Sequence, residues 1–461
     1  MTQNSPTASG FRSDINGLRA WAVVAVIFYH FGIPGFSGGF VGVDVFFVIS
    51  GFLMTGIVVT GLERGRFSLV DFYLARARRI MPALFVLCMV LLVLGWWALL
   101  PIDYAALGVH AVFSLVFLSN IKFWREAGYF DAASHEKWLL HTWSLAVEWQ
   151  FYLLLPLLLL AVWKWRPGRV PLGMAMAAAL LVSLALSVVA TPLRPTAAFY
   201  LLPMRAWEML AGGLAWLLAH RCVLTGRQRT ALETAGLAVV IGAMAGFDTA
   251  SPWPGWRALV PVLGAVAVLL AARSVSPWTG HAAAQWLGTR SYSLYLWHWP
   301  IMVALGYLEW QAHPLAIAAG LALTLVLGDL SYRLVELPAR LQLGRLRQGW
   351  GGVALLGTAL AVAAPVLGIR AEEGVPGRSL PAIEVMSAES KNINLRRGEC
   401  HADQGGSLSP SCMYGGSHLS AIIIGDSHAD AVTTALAAAV PDPAGGIMQW
   451  TYGGCPALPG V

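Results

Sequence analysis

The stretch LRAWAVVAVIFYHF, residues 18–31, is apolar except for an arginine near its start and a histidine near its end. Arg19 and His30 are eleven positions apart, which in an α-helix is three turns plus about 20°. Both side chains therefore leave one helix face, about 16 Å apart along the axis. Charged groups within a membrane span usually face the bundle interior and mark a site. The alternative is that Arg19 anchors the helix end and His30 is a hydrogen-bonded histidine at the membrane interface.

The composition predicts a polytopic membrane protein. The chain has 461 residues, of which 57% are hydrophobic and only 12% charged, with a mean hydropathy of +0.65. Soluble domains carry about 25% charged residues. The net charge of +6 comes from short basic clusters between apolar segments. Positive-inside topology explains these clusters better than a nucleic-acid-binding face, so no nucleic-acid partner is predicted.

Twelve apolar segments are long enough, or nearly so, to cross a bilayer. They are 16–33, 41–60, 82–101, 105–124, 143–163, 171–192, 203–220, 231–247, 257–273, 291–309, 314–334 and 350–369. Four basic clusters, Arg64 to Arg79, Lys164 to Arg169, Arg221 to Arg229 and Arg340 to Arg347, should all be cytoplasmic. Three segments lie between the first two clusters, and both clusters can be cytoplasmic only if an even number of these segments cross the membrane. We therefore predict that 105–124 does not span, because a polar stretch follows it. The prediction is ten spans plus a linking span at 350–369, with a cytoplasmic N-terminus and a periplasmic tail.

The tail differs in composition from the rest of the chain. Residues 370–420 are rich in Gly, Ser, Pro and charge, and are typical of a linker. The stretch SAIIIGDSHADAVTTALAAA (420–439) predicts a buried strand, a turn and a helix, the start of an α/β domain. Only 34 residues follow Ser427, so we expect an incomplete domain. The spacing of Cys400 and Cys412 suits a small disulfide loop, which requires an oxidising compartment such as a periplasm.

Further polar groups lie within or beside the apolar segments. Asp44 follows the Gly/Pro hairpin after His30, and antiparallel packing would place the two at similar depth. A carboxylate there would orient the imidazole as a general base, although a structural counter-charge is an equal alternative. Arg76, Arg78 and Arg79 either anchor a span or bind phosphate. Other polar positions point to a polar interior cavity. They are His141 and Glu148 at the outer end of the next span, Arg205, Glu208, His298, Arg333 and Glu336.

Five stretches in order resemble the acyltransferase-3 family, over roughly residues 11–345. They are the Arg19–His30 pair, GGFVGVDVFFVISGFL, HTWSLAVEWQFYLL, SYSLYLWHWP and SYRLVELP. The resemblance implies an integral membrane O-acyltransferase that modifies bacterial surface polysaccharides. It also implies acetyl-CoA as donor from the cytoplasm, His30 as the catalytic histidine and Arg19 as its partner. Arg76 and Arg79 match the RxxR motif linked to the donor, and no metal is implied.

The tail sequence GDSH, residues 425–428, resembles the first block of SGNH-type hydrolases, which are fused to this acyltransferase in a known subgroup. Ser427 would be the nucleophile, while the later Asp-x-x-His block is missing. The expected layout is an acyltransferase-3 domain (1–345), a linking helix (346–370), a periplasmic linker (371–419) and an SGNH-like fragment (420–461). The predicted catalytic residues are His30, Arg19, Asp44, Glu148 and Ser427, in a protein of the bacterial inner membrane.

The interpretation is a two-stage relay. Acetyl-CoA docks from the cytoplasm with its phosphates near Arg76, Arg79 and Arg19. His30, oriented by Asp44, acts as base or transient acyl acceptor, and Ser427 takes the acyl group and passes it to a glycan hydroxyl. Lipopolysaccharide O-antigen, peptidoglycan and exported oligosaccharides all fit as acceptors. The alternatives are a transporter, since intramembrane charges also mark substrate routes, and a membrane-anchored esterase.

Overall fold

A computed structural model gives the fold, and it describes residues 12–127, 136–219, 221–345, 348–372, 374–375, 377–378, 380–389, 394–402 and 412–453. The chain forms two compact units. The first comprises Met1–Leu99 and Asp103–Val375, and the second comprises Leu100–Ile102 and Pro376–Val461.

In the described residues of the first unit, all regular secondary structure is helical. Its helices are α1 (Ser13–His30), α2 (Gly42–Glu63), α3 (Leu69–Ala98), α4 (Pro101–Leu115), α5 (Ser119–Arg125), α6 (Thr142–Trp165), α7 (Arg169–Leu193), α8 (Pro195–Tyr200), α9 (Leu202–Ala219), α10 (Gly226–Gly246), α11 (Leu259–Ala271), α12 (Ala282–Tyr307), α13 (Pro314–Ser331), α14 (Leu337–Arg345) and α15 (Gln348–Ala371). A short 3-10 turn, Gly39–Val41, precedes α2, and a π-helical turn, Tyr332–Glu336, joins α13 to α14. Every predicted apolar segment coincides with one or two of these helices.

Five helical segments in the described part of the chain are long and apolar enough to cross a membrane. They are Gly39–Glu63, Leu69–Ala98, Thr142–Trp165, Arg169–Leu193 and Pro314–Arg345. The chain is therefore a membrane protein with at least these candidate spans, and the count of ten stays a prediction. The segment 105–124, predicted not to span, is divided between α4 and α5, with Phe117 in the left-handed region at φ 55°. Fifteen residues of helix reach only about 22 Å, short of the roughly 30 Å hydrocarbon core.

Helices α1 and α12 pack side by side and run in the same direction. Near the start of α1, the Asn16 side chain donates to the Gln285 carbonyl at 2.9 Å and to Thr289 Oγ1 at 3.1 Å. At the end of α1, His30 contacts His298, further along α12. The two backbones approach closely at Gly288, which has no side chain. A Cβ at this position would overlap the carbonyl of Asn16. This parallel packing brings together residues 268 positions apart in the sequence.

Helices α2 and α9 also pack backbone to backbone. A Cβ on Gly51 would overlap the carbonyl of Met209, and a Cβ on Gly212 would overlap the carbonyl of Val48. Small residues at such crossings allow close packing in membranes, where hydrophobic burial no longer drives association. This contact fixes the positions of Asp44 on α2 and Arg205 on α9 relative to each other.

The second unit contains a small sheet. Its elements are α16 (Pro381–Glu389), α17 (Arg397–Cys400), β1 (His401–Ala402), β2 (Cys412–Gly415), β3 (His418–Gly425), α18 (Ser427–Ala438) and β4 (Gly445–Tyr452). Strand β4 pairs with β1 and β3 in parallel and with β2 antiparallel. The predicted strand, turn and helix are present as β3, the turn at Gly425–Asp426 and α18. The strand was predicted to be buried, and this is wrong: only Gly425 is buried, because among the described strands β3 pairs with β4 alone. The Cys400–Cys412 disulfide is present. The predicted linker 371–419 differs from the structure, because part of it forms helix and strand.

Candidate active site

Arg19 and His30 lie on one unbroken helix, as the sequence spacing predicted. Helix α1 extends from Ser13 to His30, so His30 is its last helical residue and Arg19 lies in its second turn. Eleven residues of helix separate the two side chains by about 16 Å along the axis. They line two different cavities.

The first, named here the arginine cavity, has a volume of about 90 Å³ and contains Arg19. Its polar lining residues come from five helices, and they are Arg19, Ser50, Arg76, Arg79, Ser144, Glu148, Tyr152, Ser291, Tyr292 and Tyr295. The predicted grouping of Arg19 with Arg76 and Arg79 is therefore present in space. Three guanidinium groups face one carboxylate, which gives the cavity an excess of positive charge.

Neutral donors hold the Glu148 carboxylate in place. The Ser50 hydroxyl donates to Glu148 Oε1 at 2.7 Å, and the Tyr152 hydroxyl lies 3.3 Å from Glu148 Oε2. Within the described residues, no ion pair closer than 4.0 Å involves Arg19, Arg76 or Arg79. These guanidiniums thus keep donors available for an anionic ligand.

A second arginine cavity, of about 210 Å³, adjoins the first. Arg76 and Arg79 line both, and the second adds Arg78 and Arg340. The Nε atoms of Arg76 and Arg78 and Nη2 of Arg78 are buried without a hydrogen-bond partner. A buried donor without an acceptor costs about 1–3 kcal/mol, so these atoms indicate a place for an anion. Arginine forks match phosphate oxygens in geometry and charge.

The histidine cavity contains His30 and is the largest of the three, at about 910 Å³. Its aromatic lining residues are Tyr29, Phe40, Trp143, Phe199, Tyr200, Tyr295, Trp253 and Trp299. Val43 and Tyr295 line both this cavity and the arginine cavity. The three cavities therefore form a series in which each neighbouring pair shares two residues.

Three imidazoles gather at the histidine cavity. His30 Nδ1 lies 3.0 Å from His298 Nε2, and the two rings are stacked with centroids 5.1 Å apart. His298 Nδ1 lies 2.6 Å from the backbone carbonyl oxygen of Tyr295. The ring of His141 is 5.8 Å from that of His298, and both of its nitrogens are buried without a hydrogen-bond partner. His141 therefore retains hydrogen-bonding capacity beside the cavity.

The prediction that Asp44 orients His30 is wrong. Asp44 Oδ1 lies 3.1 Å from Arg205 Nη2, and Arg205 Nη1 lies 3.1 Å from Glu208 Oε1. All three side chains are at most 1% exposed. The rotation of α2 directs the Asp44 carboxylate to Arg205 on α9. The neighbour of His30 is His298 instead.

The prediction placed Glu148 with His141 at the outer end of a span, and the structure separates them. His141 precedes α6 and lines the histidine cavity, whereas Glu148 lies two turns into α6 and lines the arginine cavity. Ser50, Tyr152 and Arg340 also line these cavities and were not predicted as site residues. In the sequence, only their nearness to the motif residues could have indicated a role. Their residue types alone do not distinguish a site residue from an ordinary residue near the end of a span.

Ser427 is the first residue of α18, directly after the turn that follows β3. It is 5% exposed, while the preceding Asp426 caps the helix by accepting from the His428 backbone N–H at 2.9 Å. This hydrogen bond is the main cause that lowers the pKa of Asp426. The position fits a nucleophile at a helix N-terminus, although the catalytic role of Ser427 stays a prediction.

Comparison with known proteins identifies both parts of the chain. Residues 12–333 match the acyltransferase-3 domain family, and residues 399–461 match the SGNH domain that is fused to such domains. BcsY of Komagataeibacter xylinus, named as a membrane-bound transacylase, is 37% identical over 331 residues, which are 70% of this chain and 82% of that protein.

Two further relatives are peptidoglycan O-acetyltransferase OatA of Listeria monocytogenes and O-acetyltransferase OatA of Staphylococcus aureus. They are 31% and 30% identical over 71% of this chain, and the matches span 55% and 57% of their own lengths. No solved structure is significantly similar. Since the first match covers well over half of the residues, this chain belongs to the acyltransferase-3 family and carries an SGNH domain after its helical part.

Proposed function

We propose that the protein moves an acetyl group from acetyl-CoA through the helical unit to a glycan hydroxyl on the opposite face of the membrane. The observation that carries this proposal is the series of three cavities. It begins with arginines that lack anionic partners, continues through the narrow arginine cavity and ends at His30. A transporter would need no nucleophile or base at the end of such a route.

The positive charge of the first two cavities supports acetyl-CoA as the donor in this proposal. The phosphates would contact Arg78 and Arg340 in the second arginine cavity, and Arg76 and Arg79 between the two cavities. The arginine cavity is the smallest of the three, at about 90 Å³, so we assign to it the thin pantetheine arm rather than the nucleotide. This arm in extended form is comparable in length to the 16 Å between Arg19 and His30.

His30 would act where the thioester meets the acceptor. The acceptor oxygen attacks the thioester carbon, His30 removes the hydroxyl proton, the C–S bond breaks, and the thiolate leaves as CoA after taking that proton. A transient acyl-imidazole on His30 is the covalent version of the same step. Ser427 would then be the first acceptor and pass the acetyl group to the glycan.

The acceptor in this proposal is a glycan of the cell envelope. The relatives named for peptidoglycan favour that polymer, and lipopolysaccharide O-antigen and exported oligosaccharides remain alternatives. Aromatic side chains around His30 offer flat apolar faces for sugar rings. The proposed setting is the bacterial inner membrane, with the N-terminus cytoplasmic and the tail periplasmic. The parallel packing of α1 and α12 supports this topology, because both are odd-numbered spans in it.

The experiment supplies [14C]acetyl-CoA to inverted membrane vesicles of the native host and measures radioactive acetate released from the glycan by mild base. We expect His30→Ala to abolish this acetate while the exposed His313→Ala keeps it. Ser427→Ala tests the second step in the same assay. Unchanged labelling in His30→Ala, with protein levels matched, would refute the proposal and leave a tethered esterase as the explanation.

A further inference from the structure

We infer that His298 fixes His30 in the tautomer that carries its proton on Nδ1, which leaves Nε2 of His30 as the reacting nitrogen. The assignment of Nε2 as the reacting nitrogen rests on the proposed function, whereas the tautomer follows from the contacts alone. His298 is then a positioning residue, since it acts through His30.

The backbone carbonyl of Tyr295 determines the protonation of His298. A carbonyl oxygen can only accept, and His298 Nδ1 lies 2.6 Å from it. Nδ1 of His298 must therefore carry a hydrogen. In a neutral imidazole the other nitrogen is then an acceptor, so His298 Nε2 presents a lone pair to His30.

His30 must supply the hydrogen for the contact between the two rings. Its Nδ1 lies 3.0 Å from the lone pair of His298 Nε2, and two lone pairs at that distance would repel. A charged His298 would reverse the roles, but burying an unpaired charge is costly. His298 is 0% exposed, and among the described residues no ion pair includes it. With Nδ1 protonated and the ring neutral, Nε2 of His30 has the free lone pair.

The remaining nitrogen of His30 is accessible from the histidine cavity. His30 lines that cavity, and its Nε2 is not among the buried atoms without a partner, unlike both nitrogens of His141. Trp299 packs edge-on against the His30 ring with centroids 4.8 Å apart, which limits rotation of the imidazole. Two neighbouring residues of α12 therefore limit the rotation of the His30 ring and present the acceptor to its Nδ1, and the Val26 carbonyl of α1 is a further acceptor for a ring N–H.

Two substitutions of His298 separate its two hydrogen bonds. Gln places an amide oxygen near the position of Nε2 and can still accept from His30. Asn reaches only the position of Nδ1, so it keeps a donor for the Tyr295 carbonyl but offers His30 no acceptor. A purely structural role through the Tyr295 carbonyl would favour Asn, whereas the inferred role favours Gln.

The direct test is solid-state 15N NMR of the full chain, labelled at histidine and reconstituted in liposomes. The signals lost in His30→Asn identify His30, and His313→Asn is the matched control. We expect a protonated Nδ1 and a bare Nε2 for His30 in the wild type and in His298→Gln. In His298→Asn the other tautomer should gain population. A protonated Nε2 in the neutral wild-type ring overturns the inference.

Kinetics with [14C]acetyl-CoA as donor and chitotetraose as acceptor probe give the second readout. We expect His298→Asn to lower kcat by about 10²- to 10⁴-fold, the usual contribution of a general base, with KM for acetyl-CoA unchanged. His298→Gln should retain most of kcat. Equal losses in both variants contradict the inference. An inactive wild type would count against the proposed function with this probe, while the tautomer is still decided by NMR.

Discussion

Arg205 presents one guanidinium to two carboxylates inside the helical unit. Phe47, Trp143 and Phe199 surround it, with its Cζ atom 5.3, 5.7 and 5.9 Å from their ring centroids. Removing charges from water costs several kcal/mol per ion, and good pairing offsets this cost. Cation–π contacts can add about 2 kcal/mol when desolvated. The group is best understood as an electrostatic connection between α2 and α9.

Replacing Arg205 or Asp44 should therefore change the stability of the protein and not the rate of acetyl transfer. Arg205→Met leaves Asp44 and Glu208 without a counter-ion and should destabilise the protein by about 3–5 kcal/mol. Asp44→Asn leaves one guanidinium for one carboxylate and should cost much less, with acetyl transfer retained. Thermal unfolding in detergent and the transfer assay measure both effects. Loss of transfer in Asp44→Asn at an unchanged Tm would restore Asp44 as the orienting partner of His30.

Arg340 provides a test of the donor site outside the residues of the RxxR motif. Arg340→Gln should raise KM for acetyl-CoA about tenfold, because a charge-assisted hydrogen bond is worth about 1.5 kcal/mol or more. Little change in kcat is expected, since Arg340 lies far along the cavity series from His30. Arg227→Gln, at an exposed arginine of α10, is the matched control. An unchanged KM would exclude Arg340 from the donor site.

At the scale of helices, the local predictions succeeded where one periodicity decided the outcome. The spacing of Arg19 and His30 needs only the pitch of one helix, and α1 has it. The pairing of Asp44 with His30 also needed the rotation of α2 about its axis, at about 100° per residue. Loop length fixes depth but not rotation. The close packing of α2 on α9 at Gly51 and Gly212 sets this rotation. The sequence around these two glycines does not show which helix packs against them.

Gly51→Ala should disrupt this crossing. The new methyl group would overlap the Met209 carbonyl, and overpacking of this kind costs about 1–3 kcal/mol. Gly242 in α10 is a suitable control, because a Cβ there meets nothing within 4 Å. Gly242→Ala should be neutral or stabilise slightly, since alanine is the better helix former. Equal Tm values for the two variants would show that the α2–α9 contact is looser than described.

At the scale of the whole molecule, the ordered motifs predicted the family and the two-part organisation correctly. They could not predict the contacts that complete the site. In the sequence, His298 and Arg340 lie more than 250 positions after His30 and Arg76, respectively. No local sequence pattern links them to these residues. The sequence therefore predicts His30 and the motif arginines as candidates, while their neighbours in space follow from helix packing over hundreds of residues.

The disulfide gives a test of topology for the whole chain. If the tail is periplasmic, Cys400 and Cys412 should react with an impermeant maleimide in spheroplasts only after impermeant reduction. A Cys455→Ser background removes the fifth cysteine. Cys222, a free and half-buried cysteine in a predicted cytoplasmic loop, should react only after permeabilisation. Reaction of Cys400 without a reductant, or of Cys222 in intact spheroplasts, would contradict this arrangement.

The parallel packing of α1 and α12 has a consequence for biosynthesis. His30 leaves the ribosome 268 residues before His298, which at about 5–20 residues per second is an interval of roughly 13–54 s. Arg19, Arg76 and Arg79 are made before His298, whereas Arg340 is made after it. Neither the proposed donor site nor the surroundings of His30 are therefore complete until the last helices of the unit have been made. On the proposed function, an unfinished chain does not consume thioester while the membrane insertion machinery is still at work.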